Sequence, residues 1–165
     1  MGNFRDRINF IKEELQLVAE DFQLVRLSKY KQILNSIHEK FTNYKETQIN
    51  KKWWWSSFLE PNHYFHPGNI FKTLPLLIDN KETVYFIIED ERKEKENFWL
   101  YEGKLPAIIS VLKELSFAEY YIVSKKLNWI ICENHHNYLI GSGETIVEKM
   151  KFLDKNSDKI KNMKI

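Results

Sequence analysis

From residue 83 onward the chain is built largely from short apolar segments of the kind that form buried strands. Residues 84–88 and 98–101 are the first two, and both are rich in aromatic or β-branched side chains. Three more follow, separated from one another by short turns, at residues 120–123, 129–132 and 138–140. A parallel pair of strands needs a long crossover, so these short links favour an antiparallel or mixed sheet.

Apolar residues at helical spacing predict the helices that pack on this sheet. The stripes cover residues 3–20, 30–44, 105–115 and 146–153. Asn3 and Ser28 are suited to cap the first two helices, and His38 on the second is expected at the surface. The predicted fold class is therefore α+β, with an antiparallel or mixed sheet of about five strands, two helices at the N-terminus and one at the C-terminus.

The length and composition indicate one domain. The chain has 165 residues, of which 43% are apolar and 15% aromatic, and this excludes a disordered protein. A chain of this size buries roughly 70% of its unfolded surface. We expect a single α+β domain over residues 1–165, with a frayed basic tail beginning near residue 155.

Cysteine usage and the absence of targeting signals predict where the protein works. Cys132 is the single cysteine, which excludes an internal disulfide and favours a reducing compartment. The N-terminus has no signal-peptide pattern, and no segment approaches the roughly 18 apolar residues of a membrane helix. We therefore expect a cytoplasmic protein without a membrane partner, and no cofactor or metal ion, since no motif for either is complete.

The segment after the fourth predicted strand carries the residues best suited to acid–base chemistry. His135 or His136 can act as a general base, with Glu133 as the orienting carboxylate. Adjacent residues on an extended backbone point to opposite faces, so the two histidines do not form a metal pair. The alternative is a polar turn between two strands. Cys132, inside an apolar strand, is expected to be a core residue rather than a nucleophile.

Trp53, Trp54 and Trp55 form the densest aromatic cluster in the chain. With Lys51 and Lys52 beside them, they are a candidate platform for single-stranded nucleic acid. The chain has 21 Lys but only 4 Arg and a net charge of +2, which disfavours a nucleic-acid partner. Three consecutive rings cannot all face one way, so we favour a division between core and a protein interface.

Residues 46–82 follow no regular pattern. Pro61, Pro67 and Gly68 interrupt regular structure around His63 and His66. A short helix is expected near residues 69–74. The aromatic and histidine side chains of this region either form a binding groove or cover the sheet.

Residues 119–144 resemble the C-terminal half of small uncharacterised bacterial domains, some of which are similar to SUKH-like immunity proteins. The resemblance lies in a strand–turn–strand pattern around Trp129 and a glycine-containing end at Gly141 and Gly143. It implies an α+β domain that neutralises a toxin by binding it and has no chemistry of its own.

These observations predict a non-catalytic, cytoplasmic protein-binding module of the bacterial immunity type. Its acidic segment, residues 89–96, is suited to a basic partner. A small enzyme using His135 or His136 with Glu133, and a nucleic-acid binder using residues 51–55, are the alternatives. The candidate binding residues are Trp53, Trp54, Trp55, His63, His66, Glu133, His135 and His136.

Overall fold

The computed structural model describes residues 3–43, 54–89, 98–116 and 118–158. In these residues the chain forms five α-helices, a 3-10 helix and seven strands. Their order is α1 (Phe4–Glu14), β1 (Phe22–Leu24), α2 (Leu27–Phe41), the 3-10 helix (Trp54–Ser57), β2 (Asn62–Phe65), α3 (Ile70–Leu77), β3 (Thr83–Glu89), β4 (Phe98–Lys104), α4 (Leu105–Glu114), β5 (Tyr120–Ser124), β6 (Ile130–Glu133), β7 (Leu139–Ser142) and α5 (Glu144–Lys155).

The strands form one open sheet in the order β1-β4-β3-β5-β6-β7-β2, and every neighbouring pair is antiparallel. This confirms the α+β class and the antiparallel sheet. The predicted number of five strands is wrong, because β1 and β2 were missed. Both are short edge strands of three and four residues, held mainly by long-range pairing with β4 and β7, so they carry no periodic signal of their own.

Helices cover both faces of the sheet. Contacts link α4 to β3 and β4, and α5 to β2 and β7, while α1 and α3 pack beside α4. On this face the Met150 thioether lies directly over Gly141, so a side chain at residue 141 would require Met150 to move. The 3-10 helix lies on the opposite face, where Trp54 packs against Tyr121 of β5 and against His38 of α2. The Tyr30 hydroxyl of α2 accepts a hydrogen bond from the Leu100 N–H of β4 (3.1 Å). The expected arrangement of two helices at the N-terminus and one at the C-terminus does not match exactly, because β1 lies between α1 and α2 and because α3 and α4 lie between strands.

The first helix ends earlier than its apolar stripe predicts. Asn3 caps α1 as expected, its side chain accepting from the Asp6 N–H at 2.9 Å. The helix stops at Glu14 rather than residue 20, because Gln16 takes a left-handed backbone conformation (φ 52°) and the chain turns toward β1. Val18, the last member of the stripe, is exposed.

The other helices match their stripes closely, with differences at the ends. Arg26 rather than Ser28 occupies the N-cap of α2 and makes no side-chain cap. Residue 44, the last of the stripe that predicts α2, lies outside the described part of the chain. Residues 159–165 of the expected tail lie outside it as well. The third helix, α3, continues past residue 74 to Leu77 with Pro75 inside it.

Two polar or reactive side chains, His38 and Cys132, lie in the core on the α2 face. His38, expected at the surface, is fully buried, and its ring lies edge-on to Trp54 with the centroids 5.5 Å apart. Burial lowers the pKa of His38, because a charged imidazolium is poorly solvated there. Cys132 is also fully buried, which confirms its expected place in the core, and burial raises the pKa of its thiol.

Candidate functional site

A four-residue turn, residues 134–137, joins β6 to β7 at one end of the sheet. The Asn134 side chain accepts hydrogen bonds from the main-chain N–H groups of His136 (3.0 Å) and Tyr138 (3.1 Å). Asn137 donates its N–H to the Asn134 carbonyl (2.9 Å) and has a left-handed backbone, φ 59°. Asn134 itself is buried, so the turn is fixed from beneath by its own first residue.

Glu119 anchors one side of this turn. One carboxylate oxygen accepts from the His135 Nδ1 (2.9 Å) and from the His135 N–H (3.3 Å), and the other accepts from the Trp55 indole N–H (2.9 Å). The Glu119 side chain is only 9% exposed, so these bonds replace water around a buried carboxylate. Because an ionised carboxylate only accepts, the bond places a proton on His135 Nδ1.

His66 holds the other side of the turn. Its Nδ1 donates to the Asn137 carbonyl (3.1 Å), and its ring lies 3.7 Å from that of Tyr138. Tyr64 adds an edge-on contact to Tyr138 at 5.7 Å. We call the resulting patch the turn surface; its members are Trp55, His66, His135, His136, Asn137 and Tyr138.

The structure thus brings together two segments that the sequence placed apart. Trp55 and His66 come from the irregular region, whereas His135 and His136 come from the turn after β6. The rings of His135 and His136 lie 3.9 Å apart, and the Trp55 ring lies 6.1 Å from His135. Four of the candidate binding residues therefore share one patch.

The other candidates lie elsewhere. Trp54 is fully buried, with its ring 4.7 Å from Phe98 and 5.6 Å from Tyr121, so it cannot stack on a nucleic-acid base. His63 pairs with Asp154 of α5 at 2.9 Å. Trp53 and the lysines at 51 and 52 lie outside the described residues.

Glu133 is not the carboxylate that meets His135. It pairs across the sheet with Tyr120, on the face that carries α4 and α5, whereas Tyr121 and Cys132 face the 3-10 helix. Burial raises the pKa of Glu133, and the neighbouring Tyr120 hydroxyl partly offsets that rise. The histidine–carboxylate pair of this protein is His135 with Glu119, a residue that sequence reasoning did not single out. Its signal was positional: Glu119 immediately precedes β5, across the ladder from the turn.

Further features of the described residues bear on chemistry. One surface pocket of about 40 Å³ is lined by Phe65, Lys72 and Leu153 among others, and an open depression lies near Phe10. In the described residues no three metal-ligating side chains converge. In the same part of the chain, no helix is long and apolar enough to cross a membrane. Residues 90–97, most of the acidic segment, lie outside the described residues.

Comparison with known proteins identifies a family. No curated protein and no solved structure matches the chain. The DUF6756 model, which describes a family of unknown function, matches residues 1–154. Because this match covers nearly the whole sequence, the chain belongs to the DUF6756 family.

Proposed function

We propose that the protein is a non-catalytic, cytoplasmic binding module that recognises another protein through the turn surface. The observation that carries this proposal is the way the turn is held. Asn134, Glu119 and His66 fix it from three directions, while His135, His136 and Asn137 stay exposed at its tip. A rigid, exposed turn flanked by aromatic rings loses little conformational entropy when a partner binds, which favours recognition.

The chemistry around the turn favours a basic partner. Glu89, Glu119 and Glu133 end or precede neighbouring strands at this end of the sheet. The acidic segment of residues 89–96 begins at the same Glu89. A segment rich in carboxylates favours a positively charged protein surface, because opposite charge speeds association.

The resemblance to SUKH-like immunity proteins supports a toxin as the partner. The stretch that carries the resemblance, residues 119–144, includes Glu119 and the complete turn. An immunity protein must bind its toxin without reacting with it, and the turn surface offers contact area rather than an enclosed cavity. The proposal is therefore a bacterial immunity-like protein that acts in the cytoplasm.

Affinity capture from the native host tests this proposal. The wild-type chain is immobilised beside three variants: His136→Ala and Trp55→Ala on the turn surface, and Glu13→Ala as an exposed control on α1. We expect one basic protein, encoded by a neighbouring gene, to be retained by the wild type and by Glu13→Ala and reduced at least about tenfold by the other two. Equal capture by all four proteins would contradict the proposal.

A small enzyme remains the second candidate because of one observation. The Glu119 carboxylate orients the His135 ring through a 2.9 Å bond to Nδ1, the arrangement in which a carboxylate orients a histidine general base. His135→Gln separates the candidates when the wild type is assayed on a panel of esters and phosphoesters. Turnover that this variant abolishes favours the enzyme, and turnover that it leaves unchanged does not.

A further inference from the structure

The strand β2 lies at one edge of the sheet. Some of its main-chain N–H and C=O groups face β7, and the others face away from the sheet. The Gly143 N–H donates to the Pro61 carbonyl at 3.1 Å, one residue before the strand begins. Alternate residues of a strand share a direction, so the main chains of His63 and Phe65 also face β7. The N–H and C=O groups of Tyr64, and the carbonyl of Asn62, therefore point away from the sheet.

The outer side of β2 lacks most of the devices that protect sheet edges. Lysine and outward-facing proline usually discourage pairing there. Here the neighbouring proline, Pro61, lies at a position whose main chain faces β7, and the outward Tyr64 carries an aromatic side chain that is 65% exposed. Among the described residues, the protective contact on this edge is the Glu60 carboxylate, which accepts from the Asn62 N–H at 3.1 Å. Within that part of the chain, the outward groups of Tyr64 stay available to a second strand.

We propose that two copies of the chain pair through β2 in antiparallel orientation, with Tyr64 opposite Tyr64, so that two seven-stranded sheets become continuous. This inference goes beyond the proposed binding function and does not depend on it. The central residues exchange two main-chain hydrogen bonds, and the two tyrosine rings form a cross-strand aromatic pair.

Charge complementarity favours a second copy over an unrelated strand. Glu60 precedes β2 with its carboxylate at the outer edge, whereas Lys72 lies near the other end of the strand, where it lines a pocket with Phe65. Antiparallel pairing about Tyr64 brings the acidic end of one strand to the basic end of the other, twice by symmetry.

A pairing of four-residue strands is expected to be weak and dependent on concentration. Association must overcome several kcal/mol of lost translational and rotational freedom before hydrogen bonds count. We expect a dissociation constant of about 10–500 µM, so that monomer and dimer exchange at ordinary laboratory concentrations.

Sedimentation velocity over a range of concentrations tests the proposal, with Tyr64→Pro as the decisive variant. Proline removes the outward N–H of residue 64, while the bonds to β7 from residues 63 and 65 remain, as is usual for proline on an edge strand. We expect the dimer to weaken at least about tenfold in this variant with helix and strand content unchanged by circular dichroism. Glu60→Lys, which places like charges at both junctions, should weaken it as well.

Amide hydrogen exchange of the wild type provides the second measurement and does not need a variant to fold. The Tyr64 amide should exchange quickly in dilute protein and become protected as concentration rises, whereas the Phe65 amide stays protected throughout. A monomer at every concentration up to about 0.5 mM would overturn the proposal, since that lies at the weak end of the expected range. A dimer in which Tyr64 gains no protection would overturn it too, and would indicate another interface.

Discussion

At the scale of single residues, some buried polar groups hold particular side chains in place. Glu119 is the clearest case, because one carboxylate fixes the orientation of both Trp55 and His135. A conservative change should reveal this role. In Glu119→Gln the amide can accept on one side only, so the contact to Trp55 or to His135 is lost.

We expect Glu119→Gln to destabilise the fold by about 1–3 kcal/mol, since it leaves a partly buried donor unsatisfied. Urea unfolding measures the change, and the shift of the His135 ring signals in NMR spectra locates it. Glu114→Gln, on the exposed end of α4, is the matched control. A loss of stability no larger than that of the control would contradict this role for Glu119.

Glu133 makes a second prediction, which concerns pH. Its pKa is raised by burial, so at intermediate pH the folded state holds a proton that the unfolded chain has released. The contribution of protonated Glu133 to the free energy of unfolding is therefore complete in acid, and it falls as pH rises through the native pKa. Glu133→Gln removes the titration, so the variant should gain stability relative to the wild type between pH 4 and pH 8. A constant difference across that range, measured by urea unfolding, would contradict the assignment.

At the scale of elements, the Trp54 ring of the 3-10 helix packs between α2 and the sheet. Trp54 is fully buried among His38, Phe98 and Tyr121. Trp54→Ala should cost about 3–5 kcal/mol, because a large cavity opens between α2 and the sheet. Trp55→Phe is the control from the same helix, because it keeps an aromatic ring at a half-buried site and mainly loses the bond to Glu119, at about 1 kcal/mol. Equal costs, measured by thermal unfolding, would mean that the two rings do not have these separate roles.

A cluster of polar side chains links strand β1 to β4, and it includes the titratable carboxylate of Glu102. Glu102 of β4 accepts from Lys125 (2.7 Å) and from Gln23 of β1 (2.7 Å), and the bond to Lys125 is the main reason that the pKa of Glu102 is lowered. This contribution to stability is present above the ordinary glutamate pKa and is lost as pH falls through the lowered one.

Glu102→Gln should therefore destabilise the protein by no more than about 1 kcal/mol at pH 7, because Lys125 is well exposed, and the difference should disappear in strong acid. Urea unfolding at pH 7 and near pH 2 checks both halves of this prediction. A larger difference in acid than at neutral pH would have the wrong sign.

The strands and helices differ in how readily the sequence predicts them. β3 to β7 have apolar segments of strand length with clear turns between them, and α2, α4 and α5 have complete apolar stripes. β1 and β2 were not predicted, because the pairing of an edge strand depends on residues far along the chain. The pairing of β2 with Leu139–Ser142 is an example. The end of α1 escaped because a backbone conformation at Gln16, not a change in hydrophobicity, stops the helix.

At the scale of the whole molecule, the sheet explains why the turn surface has the members it has. The antiparallel order places β2 beside β7, which brings His66 to the turn after β6. Trp55 arrives from the opposite face through the 3-10 helix. The sequence singles out both the irregular region and the turn after β6. It does not predict that they come into contact, because that contact depends on the position of an edge strand. Glu119 was missed for the same reason: its partners are 64 and 16 residues away along the chain.

The proposed function requires a protein partner to bind at the turn surface. Hydrogen–deuterium exchange of the captured complex, compared with the free protein, measures that contact directly. We predict new protection confined to residues 54–57, 66 and 134–138, with little change on α1 and α3. Protection centred on the helices of the opposite face, with the turn unchanged, would contradict the claim.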